Sequence, residues 1–130
     1  YLVKVALAGE EYTILGYKGK QVRDQIHSSD VISAMEAFAR NPRPGAVYNL
    51  GGGRGNSASL LECVSMIEGL TGDKLKTRFV DEPRRGDHIC YISDLRRFQT
   101  DYPEWRIERS LEQIVETMVE TMSDARAARE

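Results

Sequence analysis

Helical periodicity recurs three times along this chain, over residues 28–40, 57–70 and 110–122, and the strand-like runs around those stretches never exceed five residues. In each helical stretch apolar side chains return every three or four positions. Val31, Ala34, Met35 and Phe38 form the first stripe, Leu60, Cys63, Val64 and Ile67 the second, and Leu111, Ile114, Val115, Met118 and Met122 the third. The strand-like runs, at 12–15, 22–26, 46–50, 76–80 and 88–92, carry β-branched or aromatic residues between glycine, proline and polar breaks. Helices of three to four turns with strands this short predict an α+β fold with three main helices. At 130 residues, 41% of them hydrophobic, the chain holds enough apolar surface for one modest core.

Local signals refine this outline. Residues 1–8 read as the tail of a helix closed by Gly9, a beginning expected of a chain that starts in mid-protein. The run at 12–15 and that at 22–26 flank a glycine turn and are expected to pair as a hairpin. Ser28 or Ser29 caps the first helix, Asn56 or Ser57 the second, Ser93 a short helix ending near residue 100, and Ser110 with Gln113 makes a capping-box pattern for the last. Residues 46–50 read as a buried strand, and the polar tail at 124–130 is expected to fray from a single region at 1–123. Cys63 and Cys90 read as buried free thiols.

Charge and hydropathy exclude whole classes of function. A net charge of −2 and a pI near 5.8 supply no global basic field for nucleic acid. No apolar run approaches the roughly 20 residues that a membrane span needs, and no signal-peptide pattern opens the chain, so a cytoplasmic location is expected. His27, His88, Cys63 and Cys90 lack metal-ligand spacing, and His27 is expected to be packed or hydrogen-bonded at a helix entrance. There is no Gly-x-Ser-x-Gly elbow, and no catalytic residue can be assigned.

Two strings point to an anion. In Gly-Tyr-Lys-Gly-Lys-Gln-Val-Arg-Asp, Gly16 and Gly19 permit a tight turn from which Lys18 and Lys20 project, and Arg23 follows on an extended stretch. In Pro-Arg-Arg-Gly-Asp-His, Arg84 and Arg85 sit on a second turn. Guanidinium groups grip paired phosphate oxygens, so two such turns suit a diphosphate, although solvated surface turns would carry the same residues. Tyr12, Ile14 and Leu15 offer an apolar wall for a base, or simply a core strand. The loop Gly-Gly-Gly-Arg-Gly-Asn at 51–56 resembles a dinucleotide-binding loop but has Asn56 where the third glycine is required and no acidic residue about 20 positions on, so a structural turn is expected there.

Together, the strings at 16–30, Val-Tyr-Asn-Leu-Gly-Gly-Gly-Arg-Gly-Asn-Ser and Arg-Arg-Gly-Asp-His-Ile-Cys-Tyr-Ile-Ser-Asp resemble the C-terminal part of the extended short-chain dehydrogenase/reductase family of NAD-dependent nucleotide-sugar epimerases and dehydratases. The first and third look most like the members that act at C2 of a CDP-dideoxyhexose; the runners-up are a UDP-sugar 4-epimerase, a nucleotide-sugar dehydratase and a stand-alone binding domain. The resemblance implies a small substrate-binding fragment whose NAD-binding Rossmann half is absent. It also implies a homo-oligomeric parent whose own N-terminal half holds NAD and the catalytic residues, leaving this part inactive by itself. By the same resemblance, Arg23 and Arg84 grip the diphosphate, Thr13, Ile14 and Leu15 run along the base, and Gln21 lies in the polar part of the pocket. Asp87 and Tyr91 line the nucleotide, with Lys18 and His88 beside them.

Overall fold

The computed structural model describes residues 1–128. In chain order its elements are α1 (Leu2–Ala8), β1 (Glu11–Leu15), a single turn at Tyr17–Gly19, β2 (Val22–Asp24), α2 (Ser28–Arg40), β3 (Ser57–Ser59), α3 (Leu60–Thr71), β4 (Lys76–Val80), β5 (Cys90–Tyr91), α4 (Arg96–Asp101) and α5 (Leu111–Ala127). The chain forms two compact units. One comprises Tyr1–Val22, Ala58–Cys90 and the segment from Glu112; the other comprises Arg23–Ser57 and Tyr91–Leu111.

In the first unit, α1 ends at Gly9 in the left-handed conformation (φ 68°), whose amide bonds to Ala6 and Val5 carbonyls. The chain then enters β1, which pairs in parallel with β4 from Glu11↔Lys76 to Leu15↔Val80. This pairing replaces the expected hairpin of β1 with β2. The reason is backbone accounting: the Gly16 amide continues the ladder to the Val80 carbonyl at 2.8 Å, while the Val22 amide donates to Ile89. Val3, Val5, Ile14, Ala58, Val64, Ile67, Val115 and Val119 are buried apolar side chains here. Helix α3 starts later than periodicity suggests, because Ser59 and Glu62 form the capping box and the residues before them are extended. On α5 the inward position is Val119, not Met118, and the helix runs through Asp124 to Ala127, so the polar segment is helical that far; residues 129 and 130 lie outside the described ones.

The second unit is built on aromatic packing. Ala34, Leu95, Phe98, Tyr102 and Trp105 form its core, with Phe38, Tyr48 and Leu50 against it. Phe98 meets Trp105 and Tyr48 edge-on at ring separations of 5.0 and 5.2 Å. Asp30, 2% exposed, accepts the Glu108 and Arg109 amides, and Trp105 Nε1 donates to the Asp30 carbonyl, so one residue anchors the 105–109 segment to α2. The α2 cap is His27, whose Nδ1 accepts the Ser29 amide, in place of Ser28 or Ser29.

Several expectations need correction. Residues 46–50 form no strand: Val47 is 75% exposed and only alternate residues turn inward, leaving Tyr48 and Leu50 to fill the aromatic core. Met35 is exposed on α2 while Ala34 is buried, because the aromatic cluster leaves room only for a small side chain. Asp94, not Ser93, serves the α4 entrance by accepting the Arg96 amide at 3.1 Å. The Arg96 guanidinium beside it holds the Asp94 carboxyl down at about 2. Both cysteines are free, but Cys90 is exposed, since β5 keeps only two residues of the expected run; burial pushes the half-buried Cys63 thiol up. Among the described residues no helix is long and apolar enough to cross a membrane, and no group of three or more His, Cys, Asp or Glu could hold a metal ion.

Candidate functional site

Two strings of the first unit, the lysine turn 16–20 and the arginine-bearing turn within 81–88, meet each other. The turn after β1 takes four successive residues through the left-handed region: Gly16 (φ 66°), Tyr17 (50°), Lys18 (53°) and Gly19 (74°). Glycine does this freely, whereas tyrosine and lysine do it at a cost. Gly16 is needed on a second ground, because a Cβ there would stand 2.6 Å from the Cα and Cβ of Pro83. Gly19 is buried against Leu61, which fixes the far side of the turn on α3. The Gln21 side chain closes the turn from beneath, its Nε2 donating to the Leu15 carbonyl at 3.3 Å.

The second string folds as a four-residue turn in which the Asp87 amide donates to the Arg84 carbonyl at 3.0 Å and Gly86 takes φ 79°. That geometry presents Arg84 and Arg85 outward, both exposed. The Tyr17 hydroxyl donates to the Asp87 carbonyl at a long 3.4 Å, so the first turn contacts the second at Pro83 and again at Asp87. Lys18, Lys20, Arg84, Arg85 and His88 are thus exposed on two adjoining turns, with Asp81 and Glu82 exposed just before the arginines and Asp87 half-buried. Such a surface is suited to an anion larger than a single phosphate.

The remaining residues singled out by sequence are distributed as follows. Ile14 is fully buried at 0% exposure, so the apolar wall expected of Tyr12, Ile14 and Leu15 loses its central member to the core; Thr13 and Leu15 flank it, half-buried. The Thr13 hydroxyl accepts from Arg78, its partner residue on β4, and Arg78 also pairs with Glu11 at 3.3 Å. Arg23 and Tyr91 belong to the second unit, where Arg23 is half-buried and Tyr91 exposed. Tyr17 was not legible as a site residue, since nothing in a sequence marks a tyrosine that will adopt positive φ.

The glycine loop at 51–56 lies in the second unit and packs on its own chain. A Cβ on Gly52 would stand 1.9 Å from the Gln25 carbonyl oxygen, and one on Gly51 would stand 2.2 Å from Ser93 Oγ and 2.5 Å from Asp24 Oδ2. The Gly53 amide, the type of donor that would cradle a pyrophosphate, instead donates to Asp24 Oδ2 at 2.9 Å, and the Ser93 amide joins it at 3.0 Å. Burial pushes the Asp24 carboxyl up, but these amides outweigh it and hold it below the ordinary carboxylate range. Asn56 is likewise committed, donating to the Arg109 carbonyl and accepting the Leu111 amide. The Gly53 amide and the Asn56 side chain are thus committed within the chain.

Comparison with known proteins gives the following. Residues 1–51 match the model of the NAD dependent epimerase/dehydratase family. The chain is 32% identical over 115 residues to CDP-paratose 2-epimerase of Salmonella typhi, covering 86% of this chain and 33% of that protein. It is 34% identical over 93 residues to dTDP-glucose 4,6-dehydratase of Xanthomonas campestris pv. campestris, covering 72% of this chain and 25% of that one. Its fold superposes on UDP-glucuronic acid 4-epimerase from Bacillus cereus, solved with UDP-glucuronic acid and NAD, with a TM-score of 0.83 and 25% identity over 95% of this chain and 38% of the other. By their names the curated relatives modify sugar nucleotides, and the Bacillus cereus enzyme was solved with NAD. The chain spans about a third or less of the length of these curated relatives.

Proposed function

We propose that this chain belongs to the NAD dependent epimerase/dehydratase family and forms the nucleotide-sugar-binding part of a sugar-nucleotide 2-epimerase acting on a CDP-dideoxyhexose. The supporting observation is the match to CDP-paratose 2-epimerase over 86% of the chain, joined to a fold that sets the lysine turn 16–20 against the turn carrying Arg84 and Arg85. In this reading Arg84 takes the substrate's diphosphate, with Lys18 and His88 beside it. Thr13, Leu15, Gln21 and Asp87 lie along the nucleotide, and Ile14 holds its strand in the core. Arg23 and Tyr91 join the assignment on the likeness of their strings alone. NAD, held elsewhere in the protein, supplies reversible hydride transfer; the residues here bind and orient the substrate.

A second reading, a dehydratase or a 4-epimerase, draws on the 34% identity to dTDP-glucose 4,6-dehydratase and on the Bacillus cereus fold match. One experiment separates them. The protein carrying this chain is titrated with CDP-, UDP-, GDP- and dTDP-sugars, and the bound sugars are followed by NMR for inversion at C2. Preference for the CDP-sugar with C2 inversion is expected; inversion at C4, or loss of water, establishes the second reading. Arg84→Ala is expected to weaken CDP-sugar binding by roughly 2 kcal/mol or more, about 30-fold. Unchanged affinity removes Arg84 from the site.

A further inference from the structure

We infer that Tyr17 is a ligand-contact residue of the first unit, held in a strained backbone conformation so that its ring and the adjacent Lys18 are presented to the nucleotide part of the substrate. This deepens the reading above and rests on it.

Two non-glycine residues in succession adopt positive φ, Tyr17 at 50° and Lys18 at 53°, and among the described residues they are the only non-glycines that do so. The chain had a cheaper solution. Glycine stands on both sides of the pair, and glycine at position 17 would adopt this conformation without strain. The tyrosine does little for the fold in return: it is only half-buried, among the described residues its ring meets no other aromatic side chain, and its hydroxyl has a long bond of 3.4 Å to the Asp87 carbonyl. The strained pair is nevertheless held firmly. Gly16 is pinned to the Val80 carbonyl at 2.8 Å and pressed on Pro83, Gly19 is pressed on Leu61, and Gln21 Nε2 bonds across the turn to Leu15. A side chain kept at a conformational cost, weakly used by the core, and placed between exposed cations is accounted for by what it touches outside the chain.

A second observation points the same way. Gln21 Oε1 is buried and, among the described residues, has no hydrogen-bond partner, an uncommon situation that calls for a donor. Gln21 is itself only half-buried, and an N–H or O–H of a ligand lying on the turn would satisfy that acceptor with the Nε2–Leu15 bond kept. An aromatic ring, a neutral acceptor and flanking cations together match a nucleoside diphosphate: a flat base, its polar edge, and its phosphates.

The test pairs stability with binding in the protein carrying this chain, using CDP and UDP as probes in calorimetric titrations. Tyr17→Gly removes ring and strain together; Tyr17→Asn removes the ring while keeping a side chain that tolerates positive φ. Both are expected to keep or raise the melting temperature, by up to about 5 °C, while weakening CDP binding about tenfold or more. Tyr17→Phe is expected to lose less than threefold. Unchanged binding in both ring-deleting variants, or a melting temperature that falls along with binding, overturns the inference and makes Tyr17 a structural residue. Arg84→Ala serves as the control for the underlying reading. If that variant loses affinity while the Tyr17 variants do not, only the present inference fails; if the parent protein binds neither CDP nor UDP, the nucleotide-sugar reading fails and this one with it.

Discussion

Replacing Gly52 by alanine tests whether the glycine loop exists for packing. The new Cβ would stand 1.9 Å from the Gln25 carbonyl oxygen, 2.6 Å from its carbonyl carbon and 2.8 Å from Asn56 Cβ. Two of those three atoms are backbone, so no side-chain rotation relieves the contact. The segments cannot simply part either, since the Gln25 amide donates to the Asn56 carbonyl at 2.9 Å and Asn56 is tied to Arg109 and Leu111. A van der Waals separation requires a shift of more than about 1 Å, which places the cost at or above the upper end of ordinary overpacking, roughly 3 kcal/mol. With an unfolding entropy of about 2.1 cal/mol/K per residue over 130 residues, that is a fall of about 11 °C in Tm. Gly69→Ala on α3, where nothing stands within 4 Å of the added Cβ, is the opposite case and should stabilise by about 0.5–1 kcal/mol. Both are measured by thermal melts followed by circular dichroism. A Gly52→Ala protein melting within 2–3 °C of the parent, roughly 1 kcal/mol, refutes the packing account and reopens the loop to another role.

Two further expectations concern charge. Asp24→Ala leaves the Gly53 and Ser93 amides without their acceptor and should cost about 2 kcal/mol near neutral pH. Because the folded carboxyl sits below its ordinary value of 3.8, its contribution is intact above that value and lost as pH falls through the lowered one, so the gap between parent and variant should narrow in acid; a gap independent of pH would contradict this. At the other end, burial and the 2.7 Å bond to Asp101 raise the Tyr48 phenol to about 12. Its contribution is intact below pH 10 and lost as pH climbs through about 12, so the parent should lose Tm faster than Tyr48→Phe across that window, and parallel curves would exclude the effect.

What sequence could disclose follows the range of the forces involved. The helices at α2, α3 and α5 and the strands β1 and β4 were legible because apolar periodicity and local turn residues define them. The partner of β1 was not: a glycine turn between two strand-like runs suggests a hairpin, yet β1 pairs with a strand 65 residues away, a choice made by packing of the whole unit. Residues 46–50 misled for a related reason, since apolar residues at alternate positions suit a strand, whereas here they fill gaps in an aromatic cluster without pairing. At the candidate site the charges and glycines were readable, but the adjacency of the two turns depends on Pro83 meeting Gly16, and the burial of Ile14 on the core behind it.

The two glycine-rich strings show how different physical needs produce similar sequence. In both, glycines are required by close approach of the chain to itself: Gly52 to Gln25 in one, Gly16 to Pro83 and Gly19 to Leu61 in the other. Neither set is therefore explained by backbone amides reaching for phosphate. The strings differ in what stands between the glycines. The loop at 51–53 is glycine throughout, is buried, and gives the Gly53 amide to Asp24. The turn at 16–19 places a tyrosine and a lysine in the conformation that glycine would adopt freely, and leaves the lysine exposed. A loop that binds through its backbone gains by excluding side chains, whereas a turn that binds through side chains must carry them whatever the backbone costs. On that criterion we propose the turn after β1 as the ligand-facing element and the glycine loop as scaffold, the reverse of what counting glycines suggests.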